Sequence, residues 1–152
     1  MRTRLVPLAL VLLAFALSGC ASHGVQQIHP EVDIAQVSTP VFQLEHAGYL
    51  SIQFELAVKN IREEPVVLKR VELRTTSDSP YVLRRQPTLF NRPIPPHVTD
   101  YVRFSVDAYS YGGRAAGDFP ATVQGTAIFD SEEGTIRVPF QRLLRPASHQ
   151  RD

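Results

Sequence analysis

The sequence contains no tryptophan and one cysteine, Cys20. A lone cysteine excludes an intrachain disulfide, so whatever folds must be held by its apolar core. The same two scarcities exclude an antibody-type immunoglobulin core, in which an inter-sheet disulfide packs on a tryptophan. No apolar run approaches the ~20 residues that a membrane-spanning helix needs. Neither sign of charge is in excess, with 16 basic against 15 acidic residues over 152. The chain therefore has no global electrostatic reason to seek nucleic acid. Motifs that carry chemistry are missing as well. There is no Gly-x-Ser-x-Gly nucleophile elbow. Gly112-Gly113 followed by Gly117 has neither the spacing nor the lysine of a phosphate loop. The five histidines, His23, His29, His46, His97 and His149, stand far apart, with no pair at metal-ligand spacing. Composition alone leaves a Ser/His/Asp arrangement open, because such partners meet only in space. With no motif in support, the expectation is a non-enzymatic protein without metal or cofactor.

What is present begins at the N-terminus. Arg2 and Arg4 precede an apolar run from Leu5 to Ala16, interrupted only by Pro7. That run has the length of a signal-peptide core, about 7–15 residues. It ends in Leu17-Ser18-Gly19-Cys20, whose small residues allow a peptidase to hold the backbone extended. The arrangement resembles the signal of bacterial lipoproteins, in which the cysteine thiol takes a diacylglycerol before cleavage and the new amino terminus is then acylated. The resemblance implies a signal peptide over residues 1–19 and lipidation of Cys20. Acylation would also remove the exposed thiol that one odd cysteine leaves in an exported protein. Two or three acyl chains give lasting attachment where one holds only marginally. Ala21 and Ser22 follow the cysteine. Without an aspartate there, the sorting rule of this class implies the outer membrane, with the domain facing the periplasm.

Residues 20–30 lack periodicity and predict a tether. From Glu31 onward, short alternating segments take over. Between Tyr49 and Lys59, Leu50, Ile52, Phe54, Leu56 and Val58 alternate with Ser51, Gln53, Glu55 and Ala57, the pattern of a strand with one face on a core. Val32 with Ile34, and Phe42 with Leu44, mark weaker strands. Pro65 opens the next strand, in which Val67, Val71 and Leu73 supply apolar positions. Val66 and Leu68 fall out of phase with Val71 and Leu73, which predicts a bulge or bend. Ser77 to Pro80 reads as a turn, Tyr81 to Arg85 as a weak strand, and Asn91 to Pro96 as an extended surface connection. Val102, Phe104 and Val106 alternate inward again. Ser110 to Asp118, with three glycines, reads as a loop. Val123, Gly125, Ala127 and Phe129 form a strand whose small members suggest close backbone approach. Asp130 to Gly134 turns into a returning strand with Ile136, Val138 and Phe140, and Pro139 marks it as an edge. Seven to eight such strands without a long amphipathic helix predict an all-β antiparallel sandwich of fibronectin-III or immunoglobulin-like type, spanning residues 31–144 before a disordered tail at 145–152.

Within that span, Phe54-Glu-Leu-Ala-Val-Lys-Asn60, then Arg92-Pro-Ile-Pro-Pro96, then Tyr101-Val-Arg-Phe-Ser-Val106 follow one another in a suggestive order. The set resembles the LEA14-type or water-stress-hypersensitive-response (WHy) domain. That family has an alternating strand ending in Asn, a paired strand, and a proline-containing turn into another alternating strand. Its usual proline directly after the Asn is Ile61 here, and the proline comes at Pro65. The resemblance implies a fibronectin-III-like sandwich with a stress-protective or structural role and no enzymatic site.

Two surface groups are candidates for binding. Arg84, Arg85 and Arg92 flank the proline-rich segment and could meet anionic headgroups, although ordinary solvated arginines account for them as well. Tyr109, Tyr111 and Arg114 surround the glycine-rich loop. Tyrosine and arginine are enriched at binding hot spots, which makes this loop the candidate for contact with an envelope protein. The plain alternative is two tyrosines covering the end of the sandwich.

Overall fold

The computed structural model describes residues 28–37, 46–112 and 120–144. Among them are eight strands: β1 (Glu31–Gln36), β2 (Ala47–Lys59), β3 (Val66–Thr75), β4 (Tyr81–Leu83), β5 (Thr88–Ile94), β6 (Thr99–Tyr111), β7 (Ala121–Ser131) and β8 (Gly134–Leu144). They form two antiparallel sheets, β1-β2-β6-β4 and β5-β3-β7-β8. Pairing β2 with β6 in one sheet and β3 with β7 in the other is the strand logic of an immunoglobulin-like sandwich. The expected Phe42–Leu44 segment lies outside the described residues, as do the signal peptide, Cys20 and residues 145–152.

The alternation in β2 sets the first sheet. Ile52, Phe54, Leu56 and Val58 are fully buried, while Ser51, Gln53 and Lys59 are exposed. Facing them from the second sheet are Val66, Leu68, Val71, Val123, Ala127 and Phe129, all buried in the same core. Burying each such large side chain contributes about 1.5–3 kcal/mol, which is what allows a sandwich with no disulfide to hold.

The bulge expected in β3 is present: pairing with both β5 and β7 shifts between Leu68 and Arg70. Against β7 the extra residue is Lys69, which lets Val66 and Leu68 face inward on one side of it and Val71 and Leu73 on the other. Val67, expected inward, is only half-buried. The proline-rich segment also differs from expectation. Most of it is strand β5, with Pro93 opposite Val67. An edge strand tolerates the missing N–H of a proline, and β5 is such an edge. Pro139 sits in β8, the other edge of that sheet.

Gly125 is packed against side chains rather than backbone. A Cβ there would come within 2.7 Å of Leu73 Cδ2 and onto the Phe140 ring. Phe140 is its cross-strand partner, so the ring occupies the space that the glycine leaves.

Asn60, the residue that ends β2, is fully buried. Its side-chain nitrogen donates to the carbonyls of Glu64 at 2.8 Å and of Ile94 and Pro95 at 3.2 Å each. Its side-chain oxygen accepts from the Arg62 backbone N–H at 3.1 Å. This one amide closes the β2–β3 turn and joins it to the β5–β6 turn. In that second turn, the Val98 N–H donates to the Pro95 carbonyl and His97 has a φ of 59°. Pro96 and His97 thus take the two central places of a type II turn, whose second place requires positive φ.

Candidate functional site

Both ends of the sandwich follow from the register. Glu31 is opposite Lys59 and Ala47 is opposite Tyr111. The start of β1, the Asn60 turn, the β5–β6 turn and the β7–β8 hairpin therefore share one end. Arg62 fastens the incoming chain there. Its side chain is 9% exposed, and its guanidinium donates to the Ile28 carbonyl at 2.8 Å and to the Glu133 carboxylate. The bond to Glu133 raises its pKa above the ordinary arginine value, so the group stays charged.

At the other end, on the outer face of the first sheet, three tyrosines meet. Tyr49 on β2 stands directly opposite Tyr109 on β6, and Tyr111 lies two residues further on the same face. Their ring centroids are 5.3 Å apart for Tyr49–Tyr109, at 73°, and 5.6 Å for Tyr109–Tyr111, at 79°. Edge-to-face pairs at these separations are attractive beyond their buried area. Tyr49 is 90% exposed, Tyr111 70% and Tyr109 38%. Val82, opposite Tyr109 on β4, extends the apolar surface across a third strand. The rim is polar, with Ser51 opposite Asp107 and Arg84 paired to Asp107 at 3.6 Å.

Packed structure supports this patch. Tyr81, on the inward face of β4, is buried, and its hydroxyl donates to Gln36 Oε1 at 2.9 Å. Burial pushes its phenol pKa up, so it stays neutral. Past Tyr111 the chain turns at Gly112, with φ 77°, and a Cβ there would lie 2.7 Å from the Ala47 backbone nitrogen. Glycine is required on both counts.

Three expectations change. Tyr109 and Tyr111 lie on strand β6 rather than in a loop, because the alternation of Val102, Phe104 and Val106 continues through buried Ala108 and Ser110. They stand on the sheet's face and do not cover the end of the sandwich. Arg114 lies outside the described residues. Arg84, Arg85 and Arg92 do not form one group: Arg84 pairs with Asp107, whereas Arg92 sits near the opposite end and forks onto Asp100 at 2.7 and 3.2 Å. Tyr49 was missed altogether. The signal was available, since the alternation that sends Leu50 inward sends Tyr49 outward beside Ser51 and Gln53. Among the described residues, His29, His46 and His97 are exposed, and no three His, Cys, Asp or Glu side chains converge.

No protein-family model matches the chain, and no curated protein sequence does. Solved structures do match it. A protein from Bordetella pertussis designated ApaA is 15% identical with a TM-score of 0.52, over 79% of this chain and 94% of its own. The structural-genomics target SoR45 is 16% identical at a TM-score of 0.48, over 82% of this chain and 91% of that one. A protein from Archaeoglobus fulgidus is 13% identical at a TM-score of 0.48, over 74% and 91%. At these identities only the first likeness carries weight, and it speaks for the fold alone: this chain is an all-β antiparallel sandwich.

Proposed function

We propose that this protein is a lipid-anchored binding module of the bacterial envelope, attached through Cys20 and contacting one envelope protein through Tyr49, Tyr109 and Tyr111. One observation carries the reading. The incoming chain is fastened by Arg62 at one end of the sandwich, and the exposed tyrosines stand at the other. From Lys59 to Tyr49, β2 runs roughly 33 Å at ~3.3 Å per residue. A domain tethered near Glu31 would thus hold the tyrosines away from the membrane surface. Rigid amphipathic rings with few rotatable bonds suit specific contact, and tyrosine is over-represented among residues that dominate binding energy. The Leu17-Ser18-Gly19-Cys20 motif supports the lipid anchor, and Ala21-Ser22 after it, with no aspartate, support the outer membrane as its place.

The test replaces Tyr49, Tyr109 and Tyr111 together with Ala in the full-length protein and crosslinks it in membranes. A stoichiometric partner captured by the wild type should be lost from the triple variant while its unfolding midpoint stays close to wild type. A generic protective or structural domain of the LEA14 type predicts the reverse, with unspecific contacts that survive the triple change. Fatty-acid labelling should depend on Cys20, and its absence from the wild type would remove the anchor from the reading.

A further inference from the structure

The outer face of the second sheet carries a feature unrelated to the tyrosines. Across β3, β7 and β8 lies a solvent-open cavity of about 750 Å³, within the ~300–1,000 Å³ of small-molecule sites. Its floor is a ladder of polar side chains. Arg74 Nε donates to Gln124 Oε1 at 3.0 Å, and Gln124 Nε2 donates to Gln141 Oε1 at 3.0 Å. One wall is Arg85-Gln86-Pro87, the connection that carries the chain from β4 in the first sheet to β5 in the second.

The charge of this cavity is not balanced. Its one carboxylate, Glu72, is engaged by Arg70 at 3.2 Å. Arg74 spends only its Nε on Gln124, and its terminal nitrogens have no partner among the described residues. Arg85 has no hydrogen-bond or ion-pair partner among them either. Two guanidinium groups thus face one cavity with donors to spare. The other polar side chains of the lining are Gln86, Gln124, Gln141 and Thr126, groups that both donate and accept, and its apolar part comes from Pro87 and Pro139 together with Leu73, Gly125 and Phe140.

We propose that this cavity binds a small carboxylated, polyhydroxylated ligand of the sugar-acid class. The carboxylate is matched by the guanidinium groups of Arg74 and Arg85, since an arginine fork fits two carboxylate oxygens at once. Vicinal hydroxyls, each both donor and acceptor, are matched by the glutamine amides, which present the same two capacities on one planar group. The proline faces suit the C–H face of a pyranose ring.

The experiment titrates the full-length protein, in a detergent that contains no sugar, with glucuronate, glucose, acetate and inorganic phosphate at low ionic strength. Glucuronate should saturate one site, and glucose and acetate should each bind at least about tenfold more weakly. Arg74→Ala and Arg85→Ala should each weaken glucuronate about tenfold, and added salt should do so progressively. Arg84→Ala, one residue away but engaged with Asp107, should leave glucuronate binding unchanged. Arg85 is exposed, so its loss does not threaten the fold. Acetate or phosphate binding as tightly as glucuronate would overturn the proposal, because a bare anion site would then suffice. Failure of glucuronate to saturate, or an Arg84→Ala effect equal to that of Arg85→Ala, would overturn it too.

Discussion

The side-chain amide of Asn60 donates to the carbonyl of Ile94 at 3.2 Å, tying the end of β2 in one sheet to the end of β5 in the other. The residues are 34 apart in sequence, and the same amide also closes its own turn. Asn60→Ala should therefore destabilise the domain by about 2–4 kcal/mol, since it leaves covered carbonyls and the Arg62 N–H short of partners. Urea unfolding of the two proteins measures this. Glu64→Ala is the control: only its backbone carbonyl reaches Asn60, so it should cost much less. Similar costs at both positions would mean that the turn depends on its charges and not on the amide.

Gly125 and Phe140 should be coupled. Gly125→Ala forces a methyl group onto the Phe140 ring and Leu73, and overpacking of this kind costs about 1–3 kcal/mol. In a Phe140→Ala background only the flexible end of Leu73 still meets the methyl group, and the cost should fall markedly. A double-mutant cycle with no interaction energy would show that the ring moves aside freely.

Acid should weaken the link between the sheets at Arg92 and Asp100. The hydrogen bonds from Arg92 hold the Asp100 carboxyl below its ordinary value of 3.8. Its contribution to stability is thus fully present above that value and is lost as the pH falls through the lower, folded one. Asp100→Asn lacks this titration. The stability gap between wild type and variant, measured by chemical unfolding, should be steady around pH 6 and shrink below about pH 4. A gap that grows on acidification would reverse the sign and refute the assignment.

Arg62 should govern how firmly the chain before β1 is held. Arg62→Met keeps the apolar stem but drops the bonds to the Ile28 carbonyl and to Glu133. Proteinase K should then cut before Glu31 roughly several-fold faster, because local opening no longer breaks those bonds. The core strands should resist cleavage as before. Unchanged cleavage would show that Arg62 does not hold the entering chain.

Much of the fold was legible because side chains in a strand alternate with period two. Leu50 through Val58 identify β2 and its buried face without any partner strand in view. The loss of phase around Leu68 and Val71 announced the bulge, because one extra residue is what restores inward placement. Edge position was readable from Pro139, since a missing N–H is tolerated only where no neighbour needs it. Pro93 carried the same meaning, yet three prolines close together read as a connection, and β5 was lost to that composition. The candidate site was half legible. Tyr109 and Tyr111 stood out by residue type, but the glycines after them drew them into a loop.

The sequence by itself determined the strand periodicity, the absence of an intrachain disulfide and the Leu17-Ser18-Gly19-Cys20 motif, because each can be read from residue identities along the chain. Tertiary structure alone decided which distant residues share a surface. Tyr49 joins Tyr109 only through the β2–β6 register, and one residue of slip would turn every side chain of a strand to the opposite face. Arg74 and Arg85 share a cavity only because the β4–β5 connection crosses between sheets, whereas Arg85 and Arg92, near neighbours in the chain, are carried apart by the length of β5. Asn60 reads in the sequence as the polar end of a strand. That it holds two turns together follows from the burial that brings the Ile94 and Pro95 carbonyls within reach of its amide.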